Sequence, residues 1–195
     1  SQSLHALFAH IPGLKVAAPS CPYDAKGLLK AAIRDDNPVL VFEDKMMYND
    51  VAGVPEDDYV VELGTAVVRR QGTDVTLIGT SSMVGVALEA AQQLADLGIS
   101  AEVVDPRTLF PLDTEALVAS VKKTGYAIIV DEGVQRYGAT GEIAATLQEH
   151  AFDYLDGPVL RIGAADVPVP FSPPLELPTI PDATRVVDAV QSLRR

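Results

Sequence analysis

The fold is decided by residues 74–106, which read DVTLIGTSSMVGVALEAAQQLADLGISAEVVDP. The first six residues form a short apolar run that predicts a buried strand, and apolar residues then recur at helical spacing. Ser81 or Ser82 can cap this helix, and Gly98 can end it in a left-handed conformation. A second strand-like run follows at once, so the stretch predicts a β-loop-α-β unit.

The same alternation continues on both sides and predicts an α/β fold with a largely parallel sheet. Asp113 and Asp182 are placed to cap two further helices, and Gly125 to end the first of them. The predicted strands are residues 14–18, 39–42, 62–70, 74–79, 101–104, 126–130 and 159–162, and the predicted helices are residues 23–34, 82–97, 113–124, 140–152 and a closing helix after residue 182.

A polar, acidic and turn-rich segment from about residue 45 to 62 separates the first elements from the others. Such composition is typical of a linker. The sequence therefore predicts a first unit at 1–48, a linker at 49–61 and a second unit at 62–195.

Composition excludes several classes of function. The chain has 195 residues, one cysteine and a formal charge of −12. An internal disulfide or a Cys-based zinc site is excluded, and a nucleic-acid partner is disfavoured because phosphates need clustered basic residues. The negative charge is compatible with a basic protein partner, but its effect on solubility alone would also explain it. No membrane segment or signal peptide is predicted, so we expect a cytoplasmic protein, or one from an organelle matrix.

Two charged groups follow predicted strands at the edge where open α/β sheets bind ligands. Arg107 could bind a carboxylate or phosphate, or form an ion pair with Asp105 or Asp131. Asp131 and Glu132 could do acid/base work, but a structural or interface role is the favoured interpretation because no nucleophile or metal ligand is nearby.

The remaining candidates are less specific. His5, His10 and His150 could each carry a proton or be ordinary satisfied histidines, and His10, before a turn, is expected to lie nearest a site. The strand-to-helix segment 79–82 could hold an anion instead of only capping a helix. The helix end at residues 32–38 could coordinate a monovalent cation through oxygen atoms.

These segments together resemble the beta subunits of the decarboxylating components of 2-oxoacid and acetoin dehydrogenases. The resemblance covers essentially the whole chain, and the details at residues 105–108 and 169–173 are most similar to the acetoin branch. The stretches that carry it are HIPGLKV (10–16), PYDAKGLL (22–29), AIRDDNPV (32–39), VVDPRTLFPLD (103–113), SVKKTG (120–125) and PVPFSP (168–173).

The resemblance implies the end of a transketolase-type pyrimidine-binding domain followed by a transketolase C-terminal domain. It also implies thiamine diphosphate with Mg, bound mainly by an alpha subunit and by residues upstream of Ser1. The implied partners are that alpha subunit and a second beta subunit, in an α2β2 assembly, and a lipoyl acyltransferase core that receives the acyl group.

The same resemblance limits the site residues expected here. The family's activating Glu and active-site His match positions upstream of Ser1, so no catalytic or cofactor-binding residue is assigned in this chain, which alone is expected to be inactive. The start of the chain within an apolar helical face agrees with an upstream part having been removed. A potassium ion is implied at the main-chain carbonyls of Ala32, Ile33, Asp35 and Asn37.

Two alternative functions remain open at this point. The acidic second unit could be a docking module for the acyltransferase core. The chain could also belong to another thiamine enzyme with the same C-terminal domain, such as a transketolase or deoxyxylulose-phosphate synthase. Those enzymes are expected to be single long chains, so the size of the gene product is the expected discriminator.

Overall fold

Two β-sheets organise the protein, and the computed structural model describes residues 3–193. The five-stranded sheet has the order β3-β5-β4-β7-β8, and the three-stranded sheet has the order β2-β1-β6. The strands are β1 (Lys15–Ala17), β2 (Val39–Val41), β3 (Val67–Arg70), β4 (Val75–Gly79), β5 (Ala101–Asp105), β6 (Thr108–Phe110), β7 (Ala127–Val134) and β8 (Leu160–Ala164). The helices are α1 (His5–Ala9), α2 (Pro22–Arg34), α3 (Met83–Asp96), α4 (Thr114–Thr124), α5 (Ala139–Ala151), α6 (Pro173–Glu176) and α7 (Ala183–Leu193).

The larger sheet confirms the predicted α/β class. Its strands β5, β4, β7 and β8 are parallel, and β3 pairs antiparallel with β5 at one edge. The predicted edge strand at 62–70 begins later, at Val67, because residues 50–66 contain neither helix nor strand. Parallel strands need crossover connections, and α3, α4 and α5 supply them.

Helices cover both faces of this sheet, which explains the continuous apolar runs of its strands. On one face Leu77 and Ile128 pack with α3 and α7. On the other face Ile78 and Ile129 pack with α4 and α5. Neighbouring residues of one strand thus enter opposite cores. None of the helices within residues 3–193 is both long and apolar enough to cross a bilayer.

Four predicted helix ends are confirmed by their hydrogen bonds or backbone angles. Asp113 Oδ1 accepts from the backbone N–H of Ala116 at 3.0 Å, and Asp182 Oδ1 accepts from that of Arg185 at 2.8 Å. Gly125, with φ +74°, ends α4 in the left-handed region that glycine adopts at little cost. Gly98 lies beyond α3 with φ +78°.

The predicted capping of α3 by a serine hydroxyl was wrong. Ser82 occupies the position before the helix, but its hydroxyl accepts no hydrogen bond from the start of α3. Ser81 instead donates to the carbonyl of Pro19 at 3.3 Å and has φ +49°. The turn therefore binds the first unit of the chain, a contact that sequence spacing does not reveal.

The smaller sheet joins the two halves of the chain. β1 pairs parallel with β2 and antiparallel with β6, which comes from far downstream and was not predicted. The residues of β2 are only half-buried, so the prediction of a strand covered on both faces was wrong at this position.

The predicted linker segment lies along α2. Lys26 donates to the carbonyls of Pro55 and Asp57, the second at 3.3 Å. Val61 is buried and packs with Ala17 and Leu28. These contacts fix the course of a segment whose composition predicted only a connection.

Candidate functional site

The candidate site lies at the carboxyl edge of the larger sheet, where β7 bulges. Val130 pairs with Ile162, but Val134 pairs with Ala164, so β7 has two more residues than β8 over this interval. A bulge of this kind redirects side chains and occurs often beside active sites. Here it turns residues 131–133 towards α1.

Asp131 is the centre of the first cluster. It is 1% exposed, and its Oδ2 lies 3.0 Å from Nε2 of His5. Its Oδ1 accepts a hydrogen bond from the hydroxyl of Thr80, the first residue after β4. The His5 ring packs edge-on against Phe42 at 6.1 Å between centroids. The cluster thus brings together three segments that are far apart in sequence.

Hydrogen bonds keep the buried Asp131 carboxyl ionised. Burial opposes ionisation, but hydrogen bonds from His5, Thr80 and the backbone N–H of Gly133, with the charge interaction with His5, outweigh it and lower the pKa of Asp131. Because an ionised carboxylate only accepts hydrogen bonds, His5 Nε2 is the donor of this pair.

Glu132 behaves in the opposite way. Burial raises the pKa of its carboxyl, and the charges of Asp44 and Asp131 add to that effect. Ser3 donates to Glu132 Oε2 at 2.6 Å, which opposes the rise without cancelling it. Two successive carboxyls of one bulge therefore have pKa values shifted in opposite directions, an arrangement that separates proton donors from charged groups in active sites.

A cavity of about 370 Å³ adjoins both carboxyls. Its wall includes His5, Asp131 and Glu132, with Phe42 and Asp44 from the segment after β2. The cavity is rich in carboxylates, so its charge suits a neutral or cationic group better than a phosphate.

A second charged cluster lies beside β1 and β5. Asp24 and Asp105 are both completely buried, and Arg69 is hydrogen-bonded to each, with its Nη2 at 2.7 Å from Asp105 Oδ2. Arg107 Nη2 lies 3.1 Å from Asp24 Oδ1, and Ser20 donates to Asp105 Oδ2 at 2.5 Å. The cluster connects α2 with the larger sheet.

This geometry corrects the prediction for Arg107. Its ion-pair partner is Asp24, and neither Asp105 nor Asp131 takes that place. Arg107 has φ +60°, and its backbone N–H donates to Asp105 Oδ1 at 2.8 Å. Its guanidinium is thereby engaged within the protein. Sequence analysis missed Arg69 and Asp24, because nothing near either residue in the sequence marks a charged partner.

The histidines are distributed differently from the prediction. His5, at 4% exposure, belongs to the buried cluster, whereas His10 is exposed at the wall of a separate groove of about 830 Å³. His150 is exposed at the end of α5. The expectation that His10 lies nearest the candidate site was therefore wrong. No signal in the sequence marked His5, since the apolar Leu4 and Leu7 beside it are exposed.

The predicted cation site is at the end of α2. Asp35 follows the helix, and its N–H donates to the carbonyl of Ala32 at 3.4 Å, a long contact. The Asp35 carboxylate is engaged by Lys15 at 2.5 Å and by Asn37, so an ion here would rely on other oxygens, such as the main-chain carbonyls. No group of three His, Cys, Asp or Glu side chains within residues 3–193 is arranged to hold a metal.

Comparison with known proteins agrees with this architecture. The chain matches the family described as "Transketolase, C-terminal domain" over residues 64–186 and the "Transketolase, pyrimidine binding domain" over residues 1–51. It is 51% identical, over 99% of its length, to the "Acetoin:2,6-dichlorophenolindophenol oxidoreductase subunit beta" of Bacillus subtilis. It is 46% identical, also over 99%, to the "2-oxoisovalerate dehydrogenase subunit beta" of the same organism.

Two further comparisons define the extent of the similarity. The "Pyruvate dehydrogenase E1 component subunit beta" of Rhizobium meliloti is 44% identical over 99% of the chain. The solved structure titled "Split gene transketolase, inactive beta4 tetramer" superposes with a TM-score of 0.79 at 29% identity and covers 97% of this chain and 60% of that one. The chain spans 56%, 60% and 42% of the lengths of the three beta subunits. The predicted resemblance is thus confirmed, and the chain belongs to the transketolase family, with a match to the C-terminal domain after a match to the pyrimidine-binding domain.

Proposed function

We propose that this chain is the C-terminal part of the beta subunit of a thiamine-diphosphate-dependent dehydrogenase that cleaves acetoin and passes the acyl group to a lipoyl acyltransferase. The observation that carries the proposal is the 51% identity to an acetoin oxidoreductase beta subunit across 99% of the chain. Pyruvate and branched-chain 2-oxoacids are the competing substrates, supported by relatives at 44% and 46% identity.

The chain contributes a scaffold and a cavity wall to this reaction. When bound, thiamine diphosphate supplies a nucleophilic carbon for attack on the substrate carbonyl. The carboxylates around the cavity of about 370 Å³ do not fit the anionic diphosphate. This supports binding of the diphosphate and its Mg mainly by an alpha subunit and by upstream residues. Asp131, His5 and Thr80 hold the wall in one arrangement, and no catalytic residue is assigned within the chain.

We also propose a potassium ion at the main-chain carbonyls of Ala32, Ile33, Asp35 and Asn37. Helix ends present such carbonyls without intrahelical partners. Lys15 already neutralises the Asp35 carboxylate, which leaves neutral oxygens that suit a monovalent ion. A thermal unfolding midpoint that rises in KCl but not in equal NaCl would support the ion. Equal unfolding midpoints in the two salts would refute the proposed potassium site.

The proposed domain boundaries and subunit assembly rest on the same family matches and relatives. A first domain at 1–48, a linker at 49–61 and a second domain at 62–195 are supported by family matches that end at residue 51 and begin again at residue 64. The proposed assembly is α2β2 with a lipoyl acyltransferase core, in the cytoplasm or an organelle matrix. The structural relative titled as a beta tetramer supports contacts between beta subunits.

The decisive experiment uses the full-length beta subunit co-expressed with its alpha subunit. We expect thiamine-dependent reduction of 2,6-dichlorophenolindophenol with acetoin, and slower reduction with pyruvate or 2-oxoisovalerate. A preference for either oxoacid would reassign the substrate. No reduction with any of the three in the presence of thiamine diphosphate and Mg would refute the proposal.

Another transketolase-like enzyme remains the second candidate. The structural relative is a split-gene transketolase, so a short chain does not by itself exclude a transketolase. Its identity of 29%, against 51% for the acetoin oxidoreductase subunit, favours the dehydrogenase. Sugar-phosphate ketol transfer by the assembled enzyme would reverse this preference.

A further inference from the structure

The segment containing α1 is attached to the bulge of β7 at two successive residues. Ser3 Oγ donates to Glu132 at 2.6 Å, and His5 Nε2 lies 3.0 Å from Asp131. We call this pair of hydrogen bonds the two-point clasp. Its members are 126 and 129 residues apart in sequence, so it joins the first matched domain to the second.

The bulge is shaped to receive this segment. A Cβ on Gly133 would lie 2.7 Å from Asp131 Oδ2 and 3.6 Å from the Ser3 carbonyl oxygen, so a side chain there would displace the carboxylate that binds His5. On the other side, Thr80 donates to the second oxygen of Asp131. The acceptor of the clasp is therefore held by residues of the second domain as well as by His5.

The clasp also forms part of the cavity wall. Ser3, His5, Asp131 and Glu132 all line the cavity of about 370 Å³. Phe42 lines it too, and it packs against both His5 and Phe8. Sites between domains are common places for cofactor and substrate binding.

We propose that His5 and Ser3 are positioning residues that fix the first segment against the second domain, and so set the shape of the cavity in which the substrate reacts. The inference rests on the proposed dehydrogenase function. A misplacement of about 1 Å can cost roughly a hundredfold in rate, even when the displaced group does not react itself. Neither residue needs to contact the substrate for this effect.

The test uses the assembled full-length enzyme carrying His5→Ala, His5→Gln or Ser3→Ala. His5→Ala removes the donor, and we expect kcat to fall roughly ten- to a hundredfold with the substrate KM within about twofold. Gln carries an Nε2 donor that can reach Asp131, so His5→Gln should recover most of kcat. His150→Ala, at an exposed position, is the matched control and should leave both constants unchanged.

The outcomes separate the inference from the function on which it rests. If the wild-type enzyme lacks thiamine-dependent activity, the proposed function fails. If the wild type is active and a folded His5→Ala enzyme keeps its kcat while only its unfolding midpoint falls, the residue is structural and the inference is overturned. If His5→Ala does not fold, Ser3→Ala decides: a loss of kcat of roughly threefold or more supports the clasp, and an unchanged kcat refutes it.

Discussion

Replacing Arg69 tests the charged cluster that connects α2 with the larger sheet. Arg69 lies between Asp24 and Asp105, neither of which is exposed. Burial would lower the pKa of its guanidinium, but the hydrogen bond to Asp105 and the charges of Asp105 and Asp24 raise it above its usual value. Arg69→Met keeps an apolar stem and removes the charge, which leaves two buried carboxylates short of a partner.

The magnitude follows from what the remaining partners can do. Removing one member of a buried ion pair costs about 3–5 kcal/mol of unfolding free energy. Arg107 remains 3.1 Å from Asp24, and Ser20 still donates to Asp105 at 2.5 Å. We therefore expect the lower end of the range, about 3 kcal/mol. For 195 residues that corresponds to a fall of roughly 6–12 °C in the unfolding midpoint, and the fall is proportionately smaller in a longer full-length subunit.

Differential scanning fluorimetry and urea titration of the full-length subunit would measure this change. Arg136→Met is the control, since its ion pair with Asp166 is exposed and contributes about 0–1 kcal/mol. Asp105→Asn in the Arg69→Met background should cost less than it does alone, because the two groups interact directly. Equal effects of Arg69→Met and Arg136→Met would refute the reasoning.

Two further predictions concern α2 and its surroundings. Gly27→Ala should destabilise the protein by about 1–3 kcal/mol in urea titration, because its Cβ would overlap the side chain of Val61. Gly85→Ala, in open space on α3, should instead stabilise the protein by up to about 1 kcal/mol. Equal effects of the two substitutions would contradict the packing described. The hydrogen bond from Lys15 lowers the pKa of Asp35 from 3.8 to about 2, so its contribution to stability is present above pH 3.8 and is lost as the pH falls through about 2. NMR titration should show this midpoint, and Lys15→Met should return it towards 3.8; a midpoint that stays near 2 in the variant would exclude Lys15 as the cause.

Local chemistry made much of the fold predictable. The helix between Asp113 and Gly125 was predicted at both ends, because a capping carboxylate and a left-handed glycine act on the residues beside them. The buried strands were predicted from their apolar runs, which are likewise a local feature of the sequence. Where the structure departs from prediction, a distant contact is the cause: Ser81 hydrogen-bonds Pro19, and β6 pairs with β1.

The candidate site was predicted only in part. Asp131 and Glu132 were identified from their place after a strand, where parallel sheets gather ligand-binding residues. Their opposite pKa shifts were not predictable, because those shifts depend on burial and on His5 and Ser3. Arg107 was identified with the wrong partner, since the carboxylate of Asp24 reaches it only after α2 packs on the sheet.

The sequence by itself determined the order of the strands and helices of the larger sheet, the ends of several helices and the similarity to transketolase-type beta subunits, because these depend on neighbouring residues or on whole stretches of identity. Only the tertiary structure decided which charges meet. The pairs His5–Asp131 and Arg69–Asp24 join residues 126 and 45 positions apart. Burial strengthens the electrostatic interaction within such pairs, and burial is a property of the packed chain rather than of any segment.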